Sequence, residues 1–541
     1  MSKREAPEAP PGYENLKHPS AKRAKEIDEN SPYSELQDLL KKVKDKGKGG
    51  EVKNVVHWFR SKDLRLGDNR GFYAASQKAQ EGKGALIGLY LYTPKDLEWH
   101  GTSPARTDFL LESLKIMKDE LAKINIPLAI AVAEQRKDKS KVVLEFLEKH
   151  NVSHLYANFE YEIDEIRRDC KILRGLEQKD TTFTLLHDQT VVEPMAIRTG
   201  AGGPAKVFTP YHKSWLAKLQ REPELLNTVD KPSGNDKSST ESLKALFETK
   251  VPTLPDDKNF ASNEDRERIR KLWPAGEEAG MKRLDDFLKN KVKNYATNRS
   301  MPAKDPSSRM SAYFSAGVVS VREVLKRAKE YNNGKNFTEA GGAGIAGWVR
   351  EIVFREFYRQ MLIVFPHNAM NLPQNLKFDF IHWEDDEEGW TKWKEGKTGV
   401  PFVDAGMRQL NNEAYMHNRT RMIVASYLRT NLLIDYRKGE RYFAEHLIDW
   451  DLANNTQGWE PSFTVFNPIN QAEKHDPNGD YIRHWVPELS KLRGPAIYSP
   501  HDRLAKEAFE KLGYPAPHVN WKESKARALD RYKRDLAEAD I

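Results

Sequence analysis

The sequence predicts an α/β domain followed by an all-α domain, and three observations carry that prediction. Between residues 52 and 193, short β-type runs alternate with amphipathic stretches; a Gly- and Pro-rich connector follows; beyond Trp273, apolar residues recur at helical spacing almost to the C-terminus. The expected strands are Asn54 to Phe59, Ala85 to Tyr92, Pro127 to Ala133 and His154 to Asn158. Arg106 to Ile124 and Lys139 to Lys149 carry apolar residues at helical spacing between them, which makes the sheet parallel with crossover helices. The connector covers 194–272, with Thr199-Gly-Ala-Gly-Gly-Pro204 and Lys206-Val-Phe-Thr-Pro-Tyr211 near its start and a polar surface loop at 232–242. The helical domain is expected over 273–521, with a short C-terminal tail over 522–541.

Length and composition agree. At 541 residues the chain exceeds what one core supports, so at least two domains are expected. Lys and Arg total 87 against 80 acidic residues, a net charge of +7 that permits nucleic-acid binding without requiring it. Cys170 is the only cysteine, so an intrachain disulfide and a Cys-based zinc site are excluded, no metal site is expected, and a reducing compartment fits. The longest apolar runs are too short to span a bilayer, and a soluble protein is expected. Residues 1–51, rich in Pro, Lys and Glu, read as a disordered basic tail. Lys22-Arg-Ala-Lys25 and the run from Lys41 to Lys48 suit nuclear import or DNA tethering, so the nucleus is expected, with mitochondrion and cytoplasm left open.

The α/β block has no GxGxxG phosphate loop. The chemistry concentrates in the helical domain. Asp305-Pro-Ser-Ser-Arg-Met-Ser311 precedes an apolar helix, and a helix start with added hydroxyls suits a pyrophosphate as well as ordinary capping. In Gly347-Trp-Val-Arg-Glu-Ile-Val-Phe-Arg-Glu-Phe-Tyr358, the residues Trp348, Glu351, Arg355 and Tyr358 share one helix face. Polar residues also thread the apolar sequence of Met416-His-Asn-Arg-Thr-Arg-Met422 and of Leu447-Ile-Asp-Trp-Asp-Leu-Ala-Asn-Asn-Thr-Gln-Gly-Trp459. Burying such groups without partners costs on the order of 2–7 kcal/mol for a neutral group and more for a charge.

These motifs resemble the photolyase/cryptochrome family, most closely the class I cyclobutane pyrimidine dimer DNA photolyases of bacteria and fungi, over a stretch from about Val55 to Trp485. The resemblance implies a doubly wound, Rossmann-like antenna domain and an all-α FAD-binding catalytic domain. It implies that Tyr295, Ser307, Ser308, Arg309, Met310, Ser311, Trp348, Arg421, Asp449, Trp450, Asp451 and Asn455 hold FAD, with Asn455 facing the flavin N5. It places Arg299, Glu351, Phe354, Arg355, Tyr358, Asn418, Arg419, Met422 and Gln471 at DNA or the lesion. Trp383, Tyr436 and Trp459 become the electron path, which with Glu351 and Asn455 forms the catalytic set. His100 and Glu165 match positions lining a 5,10-methenyltetrahydrofolate antenna pocket. The implied reaction is blue-light-driven electron transfer from reduced FAD to a flipped-out pyrimidine dimer in damaged DNA, by a monomer.

Four positions depart from that pattern. Phe354 stands where the class I enzymes place a Trp flanking the dimer. The second lesion-stacking Trp and its loop are missing, because Trp459-Glu-Pro-Ser-Phe-Thr-Val-Phe-Asn-Pro468 runs directly into the Phe-Asn-Pro motif. Thr464 replaces an Arg, and Tyr436 occupies the middle of the electron path. Base–aromatic stacking is worth roughly 1–3 kcal/mol per base, so these changes bear on lesion binding. Relaxed selection, a shortened gene model and a new substrate would each produce this pattern. Two other readings therefore stay open: a cryptochrome-like blue-light receptor, and a photolyase-like flavoenzyme redirected to a small molecule.

Overall fold

The computed structural model describes residues 18–46 and 51–541, with side chains from 18–43 and 51–541. It opens with two helices where the sequence reading expects a disordered tail. Helix α1 (Ala21–Glu29) is capped by the Ser20 hydroxyl and buries Ala21, Ala24 and Ile27. Helix α2 (Pro32–Lys46) buries Leu36, Leu39 and Val43 against the α/β domain. Their buried apolar residues recur at i, i+3 and i+6 in α1 and at i, i+3 and i+7 in α2, a stripe that a composition-level reading overlooks. The basic run 41–48 extends beyond the residues described.

The α/β domain is a five-stranded parallel sheet in the order β3-β2-β1-β4-β5. Its strands are β1 (Asn54–Phe59), β2 (Leu86–Tyr92), β3 (Leu128–Val132), β4 (Val152–Asn158) and β5 (Thr182–Leu186). β1, β2 and β4 are almost wholly buried, as their near-continuous apolar runs require between helical layers. The edge strand β5, absent from the sequence reading, is short and half exposed, so it carries little of that signal. Helices α3 (Arg70–Gln80), α4 (Pro104–Lys123), α5 (Lys139–Lys149) and α6 (Ile163–Gly175) make the crossovers. Caps fix the first two, with Asn69 accepting from Phe72 N–H and Ser103 from Arg106 N–H.

The connector carries α7 (Phe208–Arg221), and the helical domain contains α8 (Ser311–Ala316) and the long α9 (Ala343–Val364). Further on come α10 (Asn418–Ser426), α11 (Tyr436–His446), α12 (Leu452–Gly458) and α13 (Trp521–Glu538). The last of these corrects the expected C-terminal tail. α13 buries Ala528 and Tyr532, whose hydroxyl donates to the Arg429 carbonyl at 2.8 Å, so these residues belong to the domain.

Charged groups seam the two domains. Glu356 of α9 accepts from Val191 N–H at 2.6 Å, Val192 N–H at 3.3 Å and the Trp215 indole at 2.7 Å. Arg322 is wholly buried and pairs with Asp188 at 2.6 Å and Asp68 at 3.0 Å. Such pairs fix the relative placement of the domains more than they add net stability.

Candidate functional site

The segment leading into α8 supplies hydroxyls in a configuration suited to an anion. Ser307 Oγ accepts from Arg309 N–H at 3.1 Å and from the Tyr415 hydroxyl at 3.1 Å. Ser308 Oγ accepts from Met310 N–H at 3.3 Å and from the Trp348 indole at 3.2 Å. Both oxygens act as acceptors, which leaves each serine its own proton to donate, and a phosphate oxygen is the acceptor such donors fit. Arg309 adopts a left-handed backbone, φ 53°, that brings these groups together. Its side chain turns away from the serines, into ion pairs with Asp305 at 3.1 Å and Glu413 at 3.2 Å, so only its backbone faces the site. Met310 is buried.

Across from the serines, Asp449 accepts from the Ser311 hydroxyl at 2.6 Å and from Arg421 Nη2 at 2.8 Å. Arg421 lies in the first turn of α10 and also donates to the Met416 carbonyl at 2.7 Å, so the motif from Met416 to Met422 and the second aspartate motif are one structure. Asp451 caps α12 through Asn454 N–H at 3.0 Å and pairs with Arg359 at 2.6 Å. Although burial opposes its charge, Arg359, Lys62 and Arg355 hold the carboxyl far below the usual range. Asn455 donates its amide to the Glu440 carbonyl at 3.0 Å, which fixes the side chain and leaves its oxygen as an acceptor. Tyr295 and Trp348 are buried side by side, each in ring contact with Phe287.

A basic and apolar rim adjoins this cradle. Arg299 pairs with Glu351 at 3.1 Å, both about 40% exposed, and Arg419 donates to the Ser300 hydroxyl at 3.3 Å. Burial raises the Glu351 pKa above the usual carboxylate range, with Arg299 and its neighbours opposing. Asn418 is exposed, and Met422 is an exposed apolar group at 39%. Tyr358 is half-buried beside Phe354. The Gln471 amide oxygen is buried with no hydrogen-bond partner among the described residues.

Two residues of the expected set lie elsewhere. Arg355, placed at DNA by the sequence reading, points into the domain seam and donates to the Gln189 carbonyl at 2.6 Å and the Phe314 carbonyl at 3.3 Å. Burial there lowers its pKa to about 9. A helix residue at that angle has the seam within reach, which its heptad position alone does not reveal. Trp450, grouped with the cradle, sits in the wall of a separate interdomain cavity, 6.2 Å from His100 and 5.7 Å from the Arg106 guanidinium. That cavity lies beyond the carboxyl ends of β1, β2 and β4, where a doubly wound sheet opens its crevice. His100 and Glu165 both line it. Burial lowers His100 to about 4 and raises Glu165 to about 7.

Along the expected electron path, Trp383 and Tyr436 are in edge contact at 6.1 Å. Trp459 contacts Phe443 at 4.9 Å and Trp393 at 6.2 Å. The buried Tyr436 hydroxyl has no hydrogen-bond partner among the described residues, and burial raises its pKa far above the usual phenol value. The shortened segment after Trp459 is tied down by Arg429, which donates to the carbonyls of Glu460, Ser462 and Thr464. Tyr415 and Arg359 were missed by the sequence reading. Arg359 falls one turn beyond Arg355, so helical spacing would have found it, whereas Tyr415 lies in the non-helical link just before the Met416 motif and only its adjacency pointed to it.

Comparisons with known proteins agree with this geometry. A family model described as the FAD binding domain of DNA photolyase matches residues 348–534, and one described as DNA photolyase matches 55–231. The chain is 40% identical to a deoxyribodipyrimidine photo-lyase of Neurospora crassa, over 89% of this chain and 82% of the relative. It is 34% identical to a deoxyribodipyrimidine photo-lyase of Escherichia coli, over 88% of this chain and 98% of that one. Among solved structures, a class III photolyase from Agrobacterium tumefaciens superposes with a TM-score of 0.75 at 31% identity, covering 91% of this chain and 99% of the other.

Proposed function

The chain belongs to the DNA photolyase family, and we propose that it is an FAD-dependent lyase that uses blue light to split cyclobutane pyrimidine dimers in DNA. The observation that carries this reading is the adjacency of two surfaces: a cradle of hydroxyls, Arg421, Asp449 and Asn455, and beside it a rim where Arg299 and Arg419 flank Glu351 and an exposed Met422.

Ser307, Ser308 and Ser311, with the backbone around Arg309, would hold the FAD diphosphate, while Trp348, Asp449 and Asn455 would contact the rest of the group. Bound FAD supplies the light-excited electron that the cleavage needs. The chain's residues do the remaining work. Arg299 and Arg419 bind phosphates and position the strand. A dimer stacks and pairs poorly, so extruding it costs less than flipping a normal base. Glu351, with its raised pKa, can present a proton to a pyrimidine carbonyl, and Met422 and Phe354 exclude water around the flipped bases. An antenna pigment, expected to be 5,10-methenyltetrahydrofolate, would occupy the interdomain cavity against His100, Glu165 and Trp450. We place the enzyme in the nucleus on its basic N-terminal segments, acting as a monomer without a metal ion. No helix among the described residues is long and apolar enough to cross a membrane.

The test is repair of a dimer-containing oligonucleotide by FAD-loaded protein, read as loss of the dimer on chromatography. Repair under blue light and none in darkness supports the proposal. Absent repair, or repair that ignores light, refutes it.

A further inference from the structure

Phe354 is packed against Phe208 and Arg350, neither of which is in the expected site set. Phe208, the first residue of α7, lies face to face with it, 3.3 Å between centroids and 6° from parallel. His212, one turn along α7, stacks on Phe208 at 5.6 Å and 17°. The guanidinium of Arg350, one turn before Phe354 on α9, stands 5.2 Å from the Phe208 centroid and 5.7 Å from that of Phe354. Phe208 and Phe354 are both only partly buried, and their neighbour Val207 is 63% exposed.

What this stack can do depends on which side of Phe354 it covers. Phe208 also contacts Phe357 edge-on at 5.7 Å, and Phe357 in turn packs on Tyr211, so Phe208 belongs to the side of α9 that meets α7. At about 100° per residue, Phe357 lies roughly 120° around α9 from Glu351, with Phe354 roughly midway. Phe208 therefore backs Phe354 from the side away from Glu351. Tyr358, 6.0 Å from Phe354, flanks the opposite side. The stack stays clear of the Glu351 side of Phe354 and restrains the rotation of its ring.

Resting on the reading that α9 floors the lesion pocket, we infer that Phe208 is a positioning residue for lesion recognition: the Phe208–Phe354 stack, capped by Arg350, forms a two-ring wall at the pocket's edge. A lone phenyl is smaller than an indole and must be immobilised when a base packs on it. A ring already held by a parallel partner and a cation is ordered before the DNA arrives, and preorganisation of this kind raises affinity without a new contact. Offset and edge-on aromatic pairs contribute a factor of roughly 2 to 12 to an equilibrium, and for a face-to-face pair that range is an upper bound.

The experiment compares affinities for duplexes with and without one cyclobutane dimer, using full-length FAD-loaded wild type, Phe208→Ala, Phe208→Leu, Phe208→Tyr, Phe354→Ala and the Phe208→Ala/Phe354→Ala double variant. Val207→Ala serves as a neighbouring control, and flavin content and melting temperature are recorded for each. The wild type is expected to prefer the dimer duplex. Phe208→Ala and Phe208→Leu should each lower that preference roughly 3- to 10-fold while leaving undamaged-duplex affinity unchanged. Phe208→Tyr should keep the preference, and the double variant should be no worse than Phe354→Ala because the rings act as a unit. Full preference in Phe208→Leu would mean that Phe208 only fills space, and would overturn the inference. So would additive losses in the double variant. A wild type with no preference overturns the dimer reading itself, and the inference with it.

Discussion

His417 should make this protein acid-sensitive in a narrow and calculable way. The residue caps α10: its Nδ1 accepts the Arg419 N–H at 3.1 Å, which requires that nitrogen to be unprotonated. The ring is buried, and that burial, opposed by Asp305 and assisted by Arg421, Arg419 and Arg309, lowers its pKa from 6.5 to about 4. Above pH 6.5 neither the folded nor the unfolded chain carries the proton, and stability is unaffected. As pH falls below that value the unfolded chain takes up the proton first, so the fold loses about 1.4 kcal/mol per pH unit until the folded pKa is reached, where the loss levels off. At pH 5 the loss is about 2 kcal/mol, and its ceiling is on the order of 3 kcal/mol. Asn caps helices well and does not titrate. Urea unfolding of wild type and His417→Asn at pH 7.5, 6.0 and 5.0 isolates the effect, because every other acid-sensitive group cancels in the difference. The wild type should lose about 2 kcal/mol more than the variant between pH 7.5 and 5.0. Equal losses would refute the reasoning.

Other perturbations follow from single contacts. Arg359→Leu strands the Asp451 carboxylate in a site where the two side chains are only 3% and 5% exposed, so it should cost about 3–5 kcal/mol in urea unfolding, with part recovered in Arg359→Leu/Asp451→Leu. Tyr436→Phe removes a buried hydroxyl that lacks a partner among the described residues and should be neutral or stabilising by about 1 kcal/mol in the same measurement. Ile27→Ala empties a site that is 5% exposed against Ile163, Ala369 and Leu452; calorimetry should show a loss of about 2–4 kcal/mol, whereas a mere tail would show none. Arg299→Ala and Arg419→Ala should each reduce the slope of log affinity for DNA against log salt by about 1, weakening damaged and undamaged duplexes alike.

The sequence made the two-domain order legible because a buried parallel sheet writes itself as apolar runs and an all-α domain as helical periodicity. Four of the five strands are placed to within a residue or two, and β5 is lost because an edge strand with half-exposed faces resembles a loop. The cradle was legible for a different reason. Asp449, Asp451 and Asn455 are polar groups in apolar sequence, and such groups announce a partner even before it is known. Residue spacing, however, gives a face and never the neighbour on it. Arg355 shares the spacing of Glu351 and Tyr358, yet its side chain is long enough to reach the Gln189 carbonyl across the seam. Trp450 lies between two cradle aspartates, but its ring packs toward His100 in the interdomain cavity, just before the extended N-cap residue Asp451. Phe208 could not be found at all from the helical domain, since the residues that meet it are some 140 positions away.

These misplacements share an origin in α9. The helix has no fully exposed polar face: Arg355, Glu356, Arg359 and Gln360 hydrogen-bond across the seam, while Trp348, Glu351, Phe354 and Tyr358 line the cradle and its half-exposed rim. Sliding or rotating α9 would strand Glu356 among three donors and part Gln360 from the Met195 N–H and the Ala205 carbonyl. The geometry of the proposed lesion pocket is thus set by hydrogen bonds on the far side of the helix that floors it. The segment after Trp459 takes part in none of these contacts. The proposed pocket is therefore backed by a fixed helix, and what it would admit depends on the groups at its edge: Glu351, Met422 and the paired rings of Phe208 and Phe354.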